Sequence, residues 1–123
     1  MNKDSIFWEK MRRDKEGGRM NIYKNLYVGD SLKGKEKTVL RNIKRKRPQL
    51  QAYVIVLSRK EGEQLEIYHT AMLLQPLYFR EDPWIIGIAA NEPEAYALVE
   101  EIAGEVYEAT KTLEIKKYIQ ERI

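Results

Sequence analysis

Apolar and polar positions divide the chain into short, nearly continuous apolar runs and longer stretches in which apolar residues recur every three or four places. The clearest example runs from Trp84 to Thr110. Trp84-Ile85-Ile86-Gly87-Ile88-Ala89-Ala90 has the pattern of a strand covered on both sides, and therefore of a central strand. Asn91 then offers an N-cap oxygen, Pro93 falls in the first turn where its missing N–H costs little, and Glu94 has the spacing of a capping box. Beyond it Ala95, Leu98, Val99, Ile102, Val106 and Ala109 repeat at helical spacing, with Glu101, Glu105 and Glu108 on the other side. One long amphipathic helix is predicted, laid against the sheet. Gly104 lies inside it at a cost of about 1 kcal/mol relative to alanine; the simplest reading is a glycine tolerated at the edge of the apolar face.

The remaining elements are shorter. The segment 22–28, IYKNLYV, is aromatic and β-branched enough for a first strand, although its alternation is imperfect. Gly29-Asp30-Ser31 breaks it, with Asp30 or Ser31 expected to cap the next helix or bond within the turn, and Gly29 to permit the turn. A helix follows over about 35–46, stopped by Pro48, with Val39, Leu40 and Ile43 as its narrow apolar stripe. The run 52–57, AYVIVL, reads as a second strand, 58–63 as a polar loop, and 65–68 as a third strand at an edge or on the return arm of a hairpin. His69 to Gln75 opens a short helix interrupted near Pro76, 80–83 makes a turn, and 112–123 ends the chain in a short helix. This alternation predicts an α/β fold: a small single domain with a mixed or partly parallel sheet of about four strands, packed with the long amphipathic helix and shorter helices.

Residues 1–19 carry an apolar patch at Ile6, Phe7, Trp8 and Met11 and end in Gly17-Gly18, so they read as an N-terminal appendage to a domain spanning 20–123. Glu-Gly-Gly shortly before Met20 also fits translation of a purine-rich, bacterial type of ribosome-binding stretch. On that second reading residues 1–19 are an upstream-start leader.

Composition narrows the functional classes. A chain of 123 residues has room for one core, and its 43% hydrophobic and 33% charged residues are those of a folded soluble protein. No segment approaches the roughly 20 apolar residues that span a bilayer, and the start lacks the pattern of a secretory signal. The absence of cysteine excludes disulfides and thiolate-bound metal. A cytoplasmic location is expected, without membrane contact. His69 is the single histidine, which excludes a histidine-rich metal site within one chain; no metal or cofactor is expected.

Charge changes the picture more. The formal net charge of +3 is unevenly placed. Lys33, Lys35, Lys37, Arg41, Lys44, Arg45, Lys46 and Arg47 crowd one segment against the single acid Glu36, while Glu92 to Thr110 holds six acids and no lysine or arginine. Such a molecule steers a polyanion to one side or pairs two copies head to tail. Arg41, Lys44, Arg45 and Arg47 are the candidate phosphate contacts. Tyr23, Tyr27 and Tyr53 read as strand packing as readily as base-stacking platforms, and the chain carries no zinc-finger, helix-turn-helix or RNP-like signature.

Candidate chemistry gathers at the ends of the strands. If the strands run parallel, Asp30, Ser58, His69 and Asn91 meet beyond their carboxyl ends, where α/β sheets bind ligands; Asp30, Ser31, His69 and Asn91 are the candidate pocket. Gly29-Asp30-Ser31-Leu32 after a strand resembles the nucleophile block of the GDSL-type esterases and lipases. The resemblance implies Ser31 as nucleophile, with backbone groups around it as oxyanion hole. That family also implies later glycine and asparagine blocks and an Asp-x-x-His near the C-terminus, and this chain has no Asp-x-x-His. His69, backed by Glu66 or Asp82, is then the one imidazole available as a base. The string 29–35, GDSLKGK, lacks the spacing and the final Ser/Thr of a phosphate-binding loop. Glu100, Glu101, Glu105 and Glu108, with no histidine beside them, read as a solvated face rather than a metal site. With no two or three residues forming a reaction centre, a small non-catalytic binding or accessory protein is the first reading. Nucleic-acid binding through 33–47 is the alternative, a small GDSL-like serine hydrolase the third, and self-association is compatible with each.

Overall fold

The computed structural model describes residues 21–45, 51–74 and 83–123. Four strands, β1 (Asn21–Val28), β2 (Tyr53–Leu57), β3 (Leu65–His69) and β4 (Trp84–Ala89), form one sheet in the order β1-β4-β2-β3. β4 pairs parallel with β1 and antiparallel with β2, and β2 pairs antiparallel with β3. The sheet is therefore mixed. Every residue of β4 is buried, as its unbroken apolar run requires of a central strand.

Helices α1 (Glu36–Lys44), α2 (Glu92–Thr110) and α3 (Ile115–Gln120) cover the two faces of the sheet. On one face, Leu98, Ile102 and Val106 of α2 and Ile115 and Ile119 of α3 pack with Tyr23, Ile55, Leu57, Trp84 and Ile86. On the other, Val39 and Ile43 of α1 pack with Val54, Val56, Leu73, Ile85 and Ile88. The result is three layers, α1 outside one face and α2 with α3 outside the other. Ile102, which has no exposed surface, lies at the centre of the α2 contact, and truncating it to alanine should cost about 2–5 kcal/mol.

The imperfect alternation of β1 has a physical cause. Its register against β4 runs from Ile22 opposite Ile85 directly to Tyr27 opposite Gly87, so the intervening residues bulge. Tyr23 and Tyr27 still share one face, stacked with ring centroids 6.3 Å apart, while Ile22, Leu26 and Val28 belong to the other. The register of β4 against β2 also skips Ile86. There Gly87 comes up against Ile55 and Leu98, and a Cβ on it would stand 3.2 Å and 3.3 Å from their side chains. A glycine is used here because two packed side chains and the Tyr27 carbonyl leave little room.

Elsewhere the structure refines the expected elements. The helical turn opened by His69 is a 3-10 helix over Thr70–Leu74. α1 begins after Lys35 with no side-chain cap, so neither Asp30 nor Ser31 caps it; Asp30 bonds within the turn, to Lys33, and Ser31 is engaged as described below. The expected positions from 46 to 50 and from 75 to 82, with Arg47, Pro48 and Pro76 among them, and the 1–19 appendage lie outside the described residues. No helix among the described residues is long and apolar enough to cross a membrane.

Candidate functional site

The parallel pairing of β1 and β4 brings two strand ends together, the loop 29–32 after β1 and the start of α2 after β4. The crevice between them is where a ligand would sit in a sheet of this kind. Asn91 caps α2, its Oδ1 accepting from the Glu94 N–H at 2.9 Å. The Glu94 side chain then spans the crevice, one oxygen turned back to the residue before the cap and the other across to the loop after β1. Oε1 accepts from the Ala90 N–H at 3.0 Å, and Oε2 accepts from the Ser31 N–H at 3.3 Å. The Ser31 hydroxyl also bonds this carboxylate and is the main reason it is held below the usual carboxylate range, against partial burial and the nearby charge of Asp30.

Gly29 makes this latch possible. Its φ of −62° and ψ of 149° are open to any residue, so the turn itself does not demand glycine. A Cβ at this position would fall 2.0 Å from Glu94 Oε1. The glycine is there to admit the carboxylate. The role expected from sequence, permitting the turn geometry, is replaced by a steric one.

Of the four pocket candidates, Asp30, Ser31 and Asn91 share this crevice and His69 does not. His69 ends β3, at the same end of the sheet but on its far edge, with β2 and β4 between it and β1. Three strand spacings of about 4.8 Å separate the outer strands, so Ser31 and His69 are far beyond hydrogen-bond reach of one another. The imidazole has local partners: Nδ1 accepts from the Ala71 N–H at 3.0 Å, and the ring meets Tyr53 edge-on at 5.2 Å between centroids. Asp30 pairs with Lys33 at 2.9 Å. The donors that an anion in the crevice would use, the Ser31 and Ala90 N–H groups, already hold Glu94.

Ser58 goes to the opposite end, because β2 runs antiparallel to β4. Its hydroxyl organises the 58–64 hairpin loop, accepting from the Lys60 N–H at 3.1 Å and donating to Glu63 at 3.3 Å. A cleft of about 140 Å³ opens beside it, lined among others by Val56, Leu57, Arg59, Lys60, Glu66, Tyr68 and Pro83. The loop is clamped from below by Lys116, a buried lysine whose Nζ donates to the Ser58 and Lys60 carbonyls at 3.3 and 3.1 Å. The Lys116 N–H donates to Gln64 Oε1 at 2.9 Å. Sequence gave no signal for this, since Lys116 sits beside the equally charged Lys117, which is exposed.

The basic segment is displayed on α1. Val39 and Ile43 face the sheet, and Lys37, Arg41, Lys44 and Arg45 are exposed. Lys37, Arg41 and Lys44 follow i, i+4, i+7 spacing and so form one stripe. Lys33 is neutralised by Asp30; among the described residues, Lys37, Arg41, Lys44 and Arg45 have no ion-pair or hydrogen-bond partner for their side chains. Arg41 and Lys44 stand in the last turn of α1, where the helix dipole favours positive charge without cancelling it. Arg47, the fourth candidate phosphate contact, lies outside the described residues. Among the described residues, no group of three or more carboxylates and imidazoles is placed to hold a metal ion.

The chain matches no protein-family model, no curated protein and no solved structure.

Proposed function

We propose that this is a non-catalytic, cytoplasmic binding protein that holds a nucleic-acid backbone against the outer face of α1. The observation that carries the reading is the exposed stripe of Lys37, Arg41 and Lys44, with Arg45 beside it, left unneutralised among the described residues. Lysine and arginine side chains of this kind contact phosphate oxygens, and the gain comes largely from counterions released by the polyanion. The stripe rests on a rigid helix anchored by Val39 and Ile43, so it keeps its spacing when it meets a regular array of phosphates. Backbone contact of this type is independent of base sequence.

The strand-end crevice supports the non-catalytic part of the reading. Its serine hydroxyl bonds a carboxylate, its backbone donors are saturated by the same group, and the imidazole lies across the sheet.

Fluorescence anisotropy with mixed-sequence single- and double-stranded oligonucleotides tests the proposal. About four phosphate contacts predict a log–log salt slope near −3.6 on duplex DNA, or roughly a hundredfold loss of affinity between 50 and 200 mM salt. Arg41→Gln/Lys44→Gln should weaken binding to all sequences alike and reduce that slope by about two. Absence of binding at low ionic strength, or binding that the double substitution leaves untouched, refutes it.

A further inference from the structure

The basic stripe has a counterpart on the opposite side of the same molecule. Glu101, Glu105 and Glu108 of α2 are exposed and follow the same i, i+4, i+7 spacing as Lys37, Arg41 and Lys44 of α1. Each stripe therefore presents three charges along about 10 Å of helix, one of each sign. Glu105 accepts a hydrogen bond from the Tyr27 hydroxyl; among the described residues, Glu101 and Glu108 have no ion-pair partner within 4 Å.

The two stripes do not pair within one chain. α1 packs on one face of the sheet and α2 on the other; Glu105 turns to Tyr27 on β1, and of the basic segment it is Lys33, ahead of α1, that feels the charge of Glu101. Among the described residues Lys37, Arg41 and Lys44 have no acid within 4 Å, so another copy can supply it. An α2–α2 contact about a two-fold axis would set acid against acid, and an α1–α1 contact base against base, both unfavourable. The arrangement without repulsion places α2 of one copy on α1 of the next, rung against rung.

We propose that a second copy of this chain docks its acidic α2 stripe on the basic α1 stripe, head to tail. Because acid and base sit on different helices, the contact is heterologous and leaves one stripe of each sign free on a pair of copies, so further copies add head to tail, in a row or a ring as the rotation between copies dictates. A docked copy occupies the surface assigned above to nucleic acid, and the two compete. The self-contact rests on its own charges and not on that reading, and it is measured with no nucleic acid present.

Sedimentation velocity at low ionic strength tests it, on protein freed of nucleic acid by nuclease and a high-salt wash. The weight-average mass should rise above the 14.6 kDa of one chain as concentration increases, and return to it in 0.5 M salt, where charges about 3–10 Å apart are screened (Debye lengths at 1 M and 0.1 M). Arg41→Gln/Lys44→Gln and Glu101→Gln/Glu108→Gln should each sediment as monomers. An equimolar mixture of the two variants retains one intact stripe of each sign and should form a one-to-one pair that grows no further. That restored pairing also shows that both variants are folded. A wild-type chain that stays monomeric at low salt overturns the proposal. So does association that disappears after nuclease treatment, a variant that still self-associates alone, or a mixture that does not pair.

Discussion

At the scale of single residues, the Gly29–Glu94 contact is the most specific feature of the molecule. A Cβ on residue 29 falls within the Glu94 carboxylate, but that carboxylate ends a flexible side chain. Gly29→Ala should therefore act by expelling Glu94 from its bonds to Ser31 and Ala90, at a cost of about 1–3 kcal/mol. Chemical denaturation checks this as a cycle: in a Glu94→Ala background the same substitution should cost little, with a coupling of about 0.5–3 kcal/mol. Equal costs in both backgrounds would contradict the steric account. The pH dependence follows from the same bonds. The folded state holds Glu94 below its ordinary value, so the stabilisation is complete at neutral pH and is lost as pH falls through and below the ordinary glutamate value of about 4.3. Glu94→Gln should flatten that part of the stability profile. Tyr27 gives the opposite limb. Burial first, then the bond to Glu105 and its charge, push the phenol far above its ordinary value. The folded state therefore resists ionisation, and its advantage declines as pH rises above about 10, where the unfolded chain ionises. Tyr27→Phe should reduce the alkaline loss of stability seen in urea titrations.

At the scale of elements, the readable parts were those whose causes are local. β4 announced itself because six consecutive positions are buried on both sides. α2 did so because cap, proline and apolar spacing agree, and the structure places its start at Glu92 after the Asn91 cap. Gly104 is exposed, with open space where a Cβ would go, as expected of a glycine tolerated at the edge of the face. Gly104→Ala should accordingly raise stability by about 1 kcal/mol, read as a higher denaturation midpoint; a decrease would mean that the site is covered. What sequence left open depends on distant partners. Pattern cannot order strands, and the antiparallel turn of β2 sends Ser58 away from Asp30 and Asn91. The capping-box spacing pointed to Glu94, yet its carboxylate goes to Ser31, a loop sixty-three positions earlier, which only the β1–β4 pairing makes adjacent. Lys116 was likewise invisible, since its carbonyl partners belong to the hairpin loop. Lys116→Ala removes two charged hydrogen bonds and should cost several kcal/mol, at about 1.5–3 kcal/mol each, with hydrogen exchange quickening first in the 58–64 loop.

At the scale of the whole molecule, the sheet separates charge. The segment from Glu92 to Thr110, all acid where charged, forms most of one outer layer beside the short α3, and the base-rich α1 forms part of the other. A modest net charge of +3 thus conceals a strongly polar body, whose field extends into its surroundings. The asymmetry was legible in the sequence as two charge-biased segments; that their helices α1 and α2 lie on opposite faces follows only from the packing. The α1 face, as the proposed working surface, is put to the test by a nuclear magnetic resonance titration of the Glu101→Gln/Glu108→Gln variant, which has no intact acidic stripe with which to dock on a neighbour, with a short duplex of mixed sequence at low salt. Amide and side-chain shifts should concentrate at Lys37, Arg41, Lys44 and Arg45 and leave α2 unmoved. Shifts centred on the Ser31–Glu94 crevice or on α2, or none at all, would contradict the account.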